Sequence, residues 1–256
     1  MPATVFADDA LAGRSILITG GSSGIGRATA LRLSAAGARL VLTGRDEARL
    51  ADSVADLKGT GHVGIAANLD DPDTTADLVK SIASSHGELA GIFHSAGTEL
   101  VRPIRMTKGQ QIAALFGPSV NAALGIARAG AQKGVLSDGA SLVFMSSVAG
   151  QRGTAGMVAY STAKAAIDGM VRSLACELAA RRIRVNAVVA GAVATEMHDR
   201  LASTLSEGGL ADYEGRHLLG FGRPDDVADA VLFLLSDASA WITGTSLAVD
   251  GGYSAR

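Results

Sequence analysis

Short apolar runs and longer amphipathic stretches take turns along this chain of 256 residues. SILIT is followed by RATALRLSAAG, RLVLT by DEARLADSVADL, and HVGIAAN by TTADLVKSIASSHG. The first member of each pair is rich in β-branched residues and leucine; the second is longer and rich in alanine, with helical character. The alternation continues through GIFHSAG, a helical region over 106–133, SLVFMSS, a long helix over 157–181, RVNAVVAG, a polar stretch, DDVADAVLFLLSD and SLAVDGG. It predicts strands near 15–19, 39–43, 62–67, 90–94, 141–146, 184–189 and 246–249. Strands that are apolar throughout, without a polar face, suit a parallel sheet covered by helices on both sides. The expected architecture is therefore a doubly wound α/β sheet. No repeat, low-complexity tract or Pro- or Ser-rich linker interrupts it, so residues 1–256 are read as a single domain with a short N-terminal extension over 1–12. Only 195–224 lacks a clear pattern.

Composition narrows the partners. Hydrophobic residues make up 48% of the chain, ample for one large core. A net charge of -2 with interspersed signs leaves no basic stripe for nucleic acid or an anionic membrane, and a small-molecule substrate is favoured. The single cysteine, Cys176, excludes an internal disulfide framework, and MPATVFADDALAGR lacks the features of a signal peptide, so a cytoplasmic location is expected. No apolar run reaches the roughly 20 residues of a membrane span. The histidines His62, His86, His94, His198 and His217 show no pair at metal-ligand spacing on one helix, and no metal is expected.

The first strand runs into TGGSSGIGRATA, where Gly20, Ser22, Ser23, Gly24, Ile25 and Gly26 form the turn that opens a helix. Glycines there let the backbone approach a pyrophosphate, whose charge sits at the positive helix N-terminus. The second strand ends in LTGRDE. Gly44 leaves room and Arg45 supplies a cation where an acidic residue would select NAD, so NADP(H) is preferred over NAD(H). The bland alternative makes Arg45 a solvated charge paired with Asp46 or Glu47. Asn68 and Leu69, at the end of the third strand, are candidates for the adenine.

The fifth strand ends in two serines, and Tyr160 and Lys164 follow four apart on a helix, so their side chains point to one locus that Ser147 can also reach. A phenol with pKa about 10 holds its proton at neutral pH, and a neighbouring ammonium is expected to bring that value closer to the working range. Tyr160 then serves as acid and base, with Ser147 bonding the substrate oxygen.

TGGSSGIG, VFMSSVAG, YSTAK and RPDDVADAVLFLLSDASAWITGTSLAVDGG resemble the short-chain dehydrogenase/reductase family, and the similarity covers residues 11–253. The resemblance implies a seven-stranded Rossmann-type sheet in the order 3-2-1-4-5-6-7, an NAD(P) cofactor and catalysis by Ser147, Tyr160 and Lys164. It also implies that Lys164 grips the nicotinamide ribose, that Ala96, Gly97, Gly191 and Val193 line the cofactor, and that Thr195 bonds its carboxamide. A homotetramer or homodimer is expected, with interfaces on the 157–181 helix and the last strand; Cys176 and Trp241 are read as packing or interface residues. Residues 195–220 occupy the position of a substrate lid, in which Met197, His198, Leu201 and Tyr213 supply surface.

The chain also departs from the family pattern. His94-Ser95 replaces two asparagines, and Ala190 replaces a proline. The helix asparagine that anchors a proton-relay water aligns with Ser119, while Asn121 stands two residues on, about 200° around the helix. Either Ser119 serves the relay or a local shift at Pro118 presents Asn121. In general pattern the chain is most similar to 3-oxoacyl-thioester reductases. The expected activity is NADPH-dependent reduction of a carbonyl to a secondary alcohol, on a small molecule or one carried by an acyl carrier protein or CoA. Lys133, Arg152, Arg172, Arg181 and Arg182 are candidates for an electropositive rim near the cleft. An NAD-linked alcohol dehydrogenase and a non-catalytic NADP-binding sensor are the alternatives.

Overall fold

The computed structural model describes residues 6–202 and 207–255, with side chains outside 200–210. Seven parallel strands form one sheet: β1 (Ser15–Thr19), β2 (Arg39–Gly44), β3 (Val63–Ala66), β4 (Leu89–His94), β5 (Leu136–Ser147), β6 (Arg184–Ala190) and β7 (Ser246–Val249). Their order is β3-β2-β1-β4-β5-β6-β7, with helices on both faces, as the resemblance implied. Alternate residues of each strand feed opposite layers. Leu17, Ile92, Leu142, Phe144 and Val185 pack with α3 (Pro72–His86), α5 (Ala122–Gly130) and α6 (Val158–Leu178). Ile16, Ile18, Leu40, Phe93, Val143 and Val188 pack with α1 (Gly24–Ala35) and α7 (Pro224–Leu235). That double burial is why the strands carry no polar face.

The predicted strand boundaries hold within a few residues except at β5, which begins at Leu136, well before the expected 141. Leu136 pairs with Leu89, and a register shift intervenes before Gly91 meets Ser141. Local signals mark the helix starts. Asp46 accepts the Arg49 N–H at the start of α2 (Glu47–Ala55), and Asp71 accepts those of Asp73 and Thr74 ahead of Pro72.

The region read as helical over 106–133 is a composite. A short turn at Ile104–Met106 precedes α4 (Gly109–Phe116), a π turn over Gly117–Asn121, and α5. Pro118 has no N–H to give the helical ladder, and the turn widens so that Ala122 N–H bonds the Gly117 carbonyl, five residues back. By length and composition Gly109–Gly130, 22 residues, is long and apolar enough to cross a membrane, which the sequence reading did not anticipate. Half of its most apolar window is buried, and α5 packs on α3.

Candidate active site

The strands β1 to β6 release their carboxyl ends at one edge of the sheet, and the segments that leave them enclose a cleft of about 630 Å³. The cofactor candidates converge on it. Gly20, Ser22, Ser23, Gly24 and Ile25 line it from the first turn, Arg45 from the second, Asn68 and Leu69 from the third, and Ala96 and Gly97 from the fourth. Gly191, Val193 and Thr195 close the other side. Gly26 sits beneath, where a Cβ would lie 2.1 Å from the Gly20 carbonyl oxygen, so only glycine permits the tight turn. Thr195 faces the turn, its Cγ2 lying 3.5 Å from where Gly24 would carry a Cβ. The cradle and the charged group beside it thus fit a dinucleotide.

Arg45 is exposed at the end of β2 and makes no hydrogen bond or ion pair among the described residues, so it is not the partner of Asp46 or Glu47. Asp46 is occupied as a helix cap. Arg49, one turn on, also lines the cleft and reaches across to Glu196 at 2.6 Å, just beyond Thr195. Sequence reasoning missed this bridge, although a second arginine four residues after Arg45 was a visible signal. Asn68 donates to Asp70 at 2.8 Å through its amide nitrogen.

Ser147, Tyr160 and Lys164 meet at the other end of the cleft. The loop after β5 can press against α6 because Gly150 has no side chain; a Cβ there would stand 2.9 Å from the Lys164 carbonyl carbon. Ser147 Oγ accepts the Ala149 N–H at 3.2 Å. Lys164 is buried, donates to the Met145 carbonyl at 2.9 Å, and lies 5.7 Å from the centroid of the Tyr160 ring. Burial lowers its pKa to about 8, with Asp168 opposing that fall. The effect on Tyr160 differs from expectation. Burial of the enclosed hydroxyl pushes the phenol up to about 12, a hydrogen bond with Ser147 pulls it down, and the Glu99 carboxylate adds to the rise. Desolvation of the phenolate outweighs the stabilisation expected from the lysine, whose ammonium is turned to the Met145 carbonyl and the ring face.

The π turn places the two relay candidates differently. Asn121 donates to the Asp70 carbonyl at 3.2 Å, away from Lys164. Ser119 is buried, and its Oγ has no hydrogen-bond partner among the described residues. A Cβ built on Gly97 would lie 3.2 Å from Ser119 Oγ and 3.8 Å from Lys164 Nζ, so the two polar atoms flank one point. His94 stands behind, bonded to the Ser119 carbonyl at 3.1 Å. The sequence marked it only as a departure from pattern.

Of the lid residues, Met197, His198 and Tyr213 line the cleft, and His198 packs edge-on against Phe221. Leu201 lies outside the described side chains. The proposed basic rim needs correction. Lys133, Arg181 and Arg182 flank the amino ends of β5 and β6, the edge opposite the cleft, and Arg181 is bound to Asp138 at 2.9 Å. They preceded strands in the sequence, and a strand's start and its active edge are at opposite ends. Arg152, by contrast, reaches the Ser254 carbonyl. Cys176 and Trp241 are exposed, Trp241 almost entirely, so neither packs within the chain. Among the described residues no group of three or more His, Cys, Asp or Glu could hold a metal ion.

A parallel sheet in this order, with a glycine turn at one end of its cleft and Tyr-x3-Lys at the other, defines a nucleotide-dependent oxidoreductase. A family model described as enoyl-(acyl carrier protein) reductase matches residues 20–254. Among curated proteins, the chain is 33% identical over 239 residues to carbonyl reductase family member 4 of Danio rerio, covering 93% of this chain and 97% of that one. It is 32% identical over 245 residues to the 3-oxoacyl-(acyl-carrier-protein) reductase FabG of Thermotoga maritima, covering 94% and 98%. Similar solved structures include a short-chain dehydrogenase/reductase from Serratia marcescens, with TM-score 0.88, 25% identity and 96% and 99% coverage. Another is a blue fluorescent protein from a metagenomic library in complex with NADPH, with TM-score 0.87, 29% identity and the same coverage. The chain belongs to the short-chain dehydrogenase/reductase family and is an NAD(P)-dependent enzyme.

Proposed function

We propose that this enzyme reduces a carbonyl to a secondary alcohol with NADPH, Tyr160 giving the proton. The observation that carries the reading is the convergence of Ser147, Tyr160 and Lys164 on one cleft with the glycine turn. A bound nicotinamide supplies the hydride for such a reduction. Ser147 and Tyr160 hold the substrate oxygen from two sides, and their hydrogen bonds strengthen as charge grows there. Reduction needs a protonated acid at the start, and burial keeps the Tyr160 hydroxyl protonated throughout the neutral range. Lys164 then serves two purposes: its ammonium, 5.7 Å from the Tyr160 ring centroid, would stabilise negative charge left on the phenol, and it would also hold the nicotinamide ribose. Ser119 Oγ, unpartnered beside Lys164, holds the water through which the proton is replaced.

Arg45 selects NADPH because a 2′-phosphate would give an exposed, unpartnered guanidinium a charge-assisted hydrogen bond. The substrate is a 3-oxoacyl group or a simpler ketone. The names of the relatives favour the former, whereas Lys133, Arg181 and Arg182, at the opposite edge of the sheet, supply no basic rim to a carrier protein at the cleft. The exposed Trp241 and the exposed Val158 on α6 support assembly into a homotetramer through the last strand and that helix.

The experiment is NADPH oxidation against 3-oxoacyl thioesters, enoyl thioesters, simple ketones, quinones and keto sugars. Turnover of acetoacetyl-CoA well above the other classes is expected. Turnover confined to ketones without a thioester removes the acyl substrate, and turnover confined to enoyl thioesters removes carbonyl reduction itself. An NADH rate equal to the NADPH rate removes the role of Arg45.

A further inference from the structure

His94 ends β4 and is 2% exposed, yet it neither lines the cleft nor belongs to the groups that hold the substrate oxygen. A ring so enclosed must have both nitrogens satisfied. Nε2 lies 3.1 Å from the Ser119 carbonyl oxygen and Nδ1 lies 2.7 Å from Thr19 Oγ1. A carbonyl oxygen only accepts, so Nε2 carries the proton and Nδ1 is the acceptor. The Thr19 hydroxyl therefore donates to Nδ1, while its oxygen accepts the Ala96 N–H at 3.2 Å. All the bonds run one way: from Ala96 to Thr19, from Thr19 to His94, and from His94 to the Ser119 carbonyl.

The segments joined by this chain are the ones that have to be in register. Thr19 is the last residue of β1, immediately before the glycine turn; Ala96 lines the cleft; Ser119 sits in the π turn beside Lys164. A π turn interrupts the ordinary helical ladder, so an outside donor to one of its carbonyls fixes its rotation. Rotation is what aims Ser119 Oγ inward and Asn121 toward Asp70. The imidazole suits the task because burial keeps it neutral, its pKa about 4, and a neutral ring beside the Lys164 ammonium adds no repulsion.

We infer that His94 is a positioning residue: its Nε2–H clamps the Ser119 carbonyl and thereby holds Ser119 Oγ in place relative to Lys164 and the nucleotide cradle. The inference rests on the reading of Ser119 as part of the proton route.

Two substitutions separate the ends of the ring. His94→Gln puts an amide nitrogen near the position of Nε2 and keeps a donor for the Ser119 carbonyl, whereas His94→Asn is too short and keeps only the Thr19 end. In the cofactor-free protein, long-range proton–nitrogen NMR should show His94 as the Nε2–H tautomer, and the backbone amides of Gly117, Ser119, Val120 and Asn121 should shift in His94→Asn and not in His94→Gln. With NADPH and acetoacetyl-CoA, or the best carbonyl of the substrate panel, His94→Asn should lower kcat about tenfold, the worth of one hydrogen bond to a working group. NADPH affinity should stay within about twofold, since the cradle itself is untouched. His94→Gln should recover most of the loss, and His94→Asn with Ser119→Ala should be no slower than Ser119→Ala alone. An Nδ1–H tautomer, equal losses in Gln and Asn, or additive losses in the double variant would overturn the clamp. If Ser119→Ala alone leaves kcat unchanged, the proton-route reading of Ser119 fails instead; the tautomer and the amide shifts still decide the clamp.

Discussion

Lys164 and Tyr160 are enclosed among groups that already hold them, while Arg45, at the other end of the same cleft, makes no hydrogen bond or ion pair among the described residues. The Tyr160 end is built from α6 pressed onto the loop after β5, with Lys164 fixed by the Met145 carbonyl. The Arg45 end offers an exposed cation. The difference separates two demands on one site. Chemistry needs dipoles held in place before the substrate arrives, since a group that must reorganise loses its advantage. Recognition of a 2′-phosphate needs only a charge that is free to pair when the ligand brings its own. Arg49 stands between these cases, lining the cleft but bridged to Glu196.

The largest expected effect breaks the enclosed end. Tyr160→Phe keeps the ring and removes the hydroxyl, and should lower kcat by roughly 10²–10⁴ with unchanged NADPH affinity. Lys164→Met should strike both chemistry and binding: steady-state kinetics should show a fall in kcat of roughly 10²-fold or more, and fluorescence titration a weaker NADPH complex. At the open end, Arg45→Ala should leave kcat at saturating cofactor nearly intact. It should weaken NADPH, and not NADH, by roughly 10–100-fold, the worth of about 1.5–3 kcal/mol for a charged hydrogen bond. A loss of kcat in Arg45→Ala would erase the contrast between the two ends.

Proton linkage sharpens the contrast further. Lys164 is protonated below its pKa of about 8, so the rate of reduction should fall as pH rises through that value. A separate effect, on stability and not on turnover, concerns His94, whose folded pKa of about 4 lies below the ordinary 6.5. Between those values the unfolded chain binds the proton first, so stability is lost as pH falls from about 6.5 to about 4, by at most about 3 kcal/mol. Denaturant unfolding of His94→Gln should show a flatter acid limb than the wild type.

Periodicity made the sheet legible. Apolar runs at SILIT, RLVLT and SLVFMSS became β1, β2 and β5, because burial on both faces leaves its mark in every residue of a strand. The early start of β5 was hidden, since Leu136 joins the sheet only through its pairing with Leu89 across a register shift. That Ser147, Tyr160 and Lys164 share one locus was readable from spacing, but the pKa of Tyr160 was not. Spacing says that an ammonium is near; it does not say that the ammonium points to the Met145 carbonyl or how much water is lost. Ser119 and Asn121 could not be separated by counting 100° per residue, because Pro118 turns the helix into a π turn there. His94 looked like a lost asparagine. Its bonds to Thr19 and Ser119 join residues 75 and 25 positions away, a separation that no local pattern records.

In the proposed reaction Tyr160 protonates the carbonyl oxygen as hydride reaches the carbonyl carbon. The direct measurement is a single turnover with NADPH deuterated at the transferable position and acetoacetyl-CoA, the product analysed by mass spectrometry. The wild type should place deuterium on the new alcohol carbon, and Tyr160→Phe, fully loaded with the same cofactor, should form that product at least about a hundredfold more slowly. Equal rates of labelled product from the two proteins would contradict proton transfer from Tyr160.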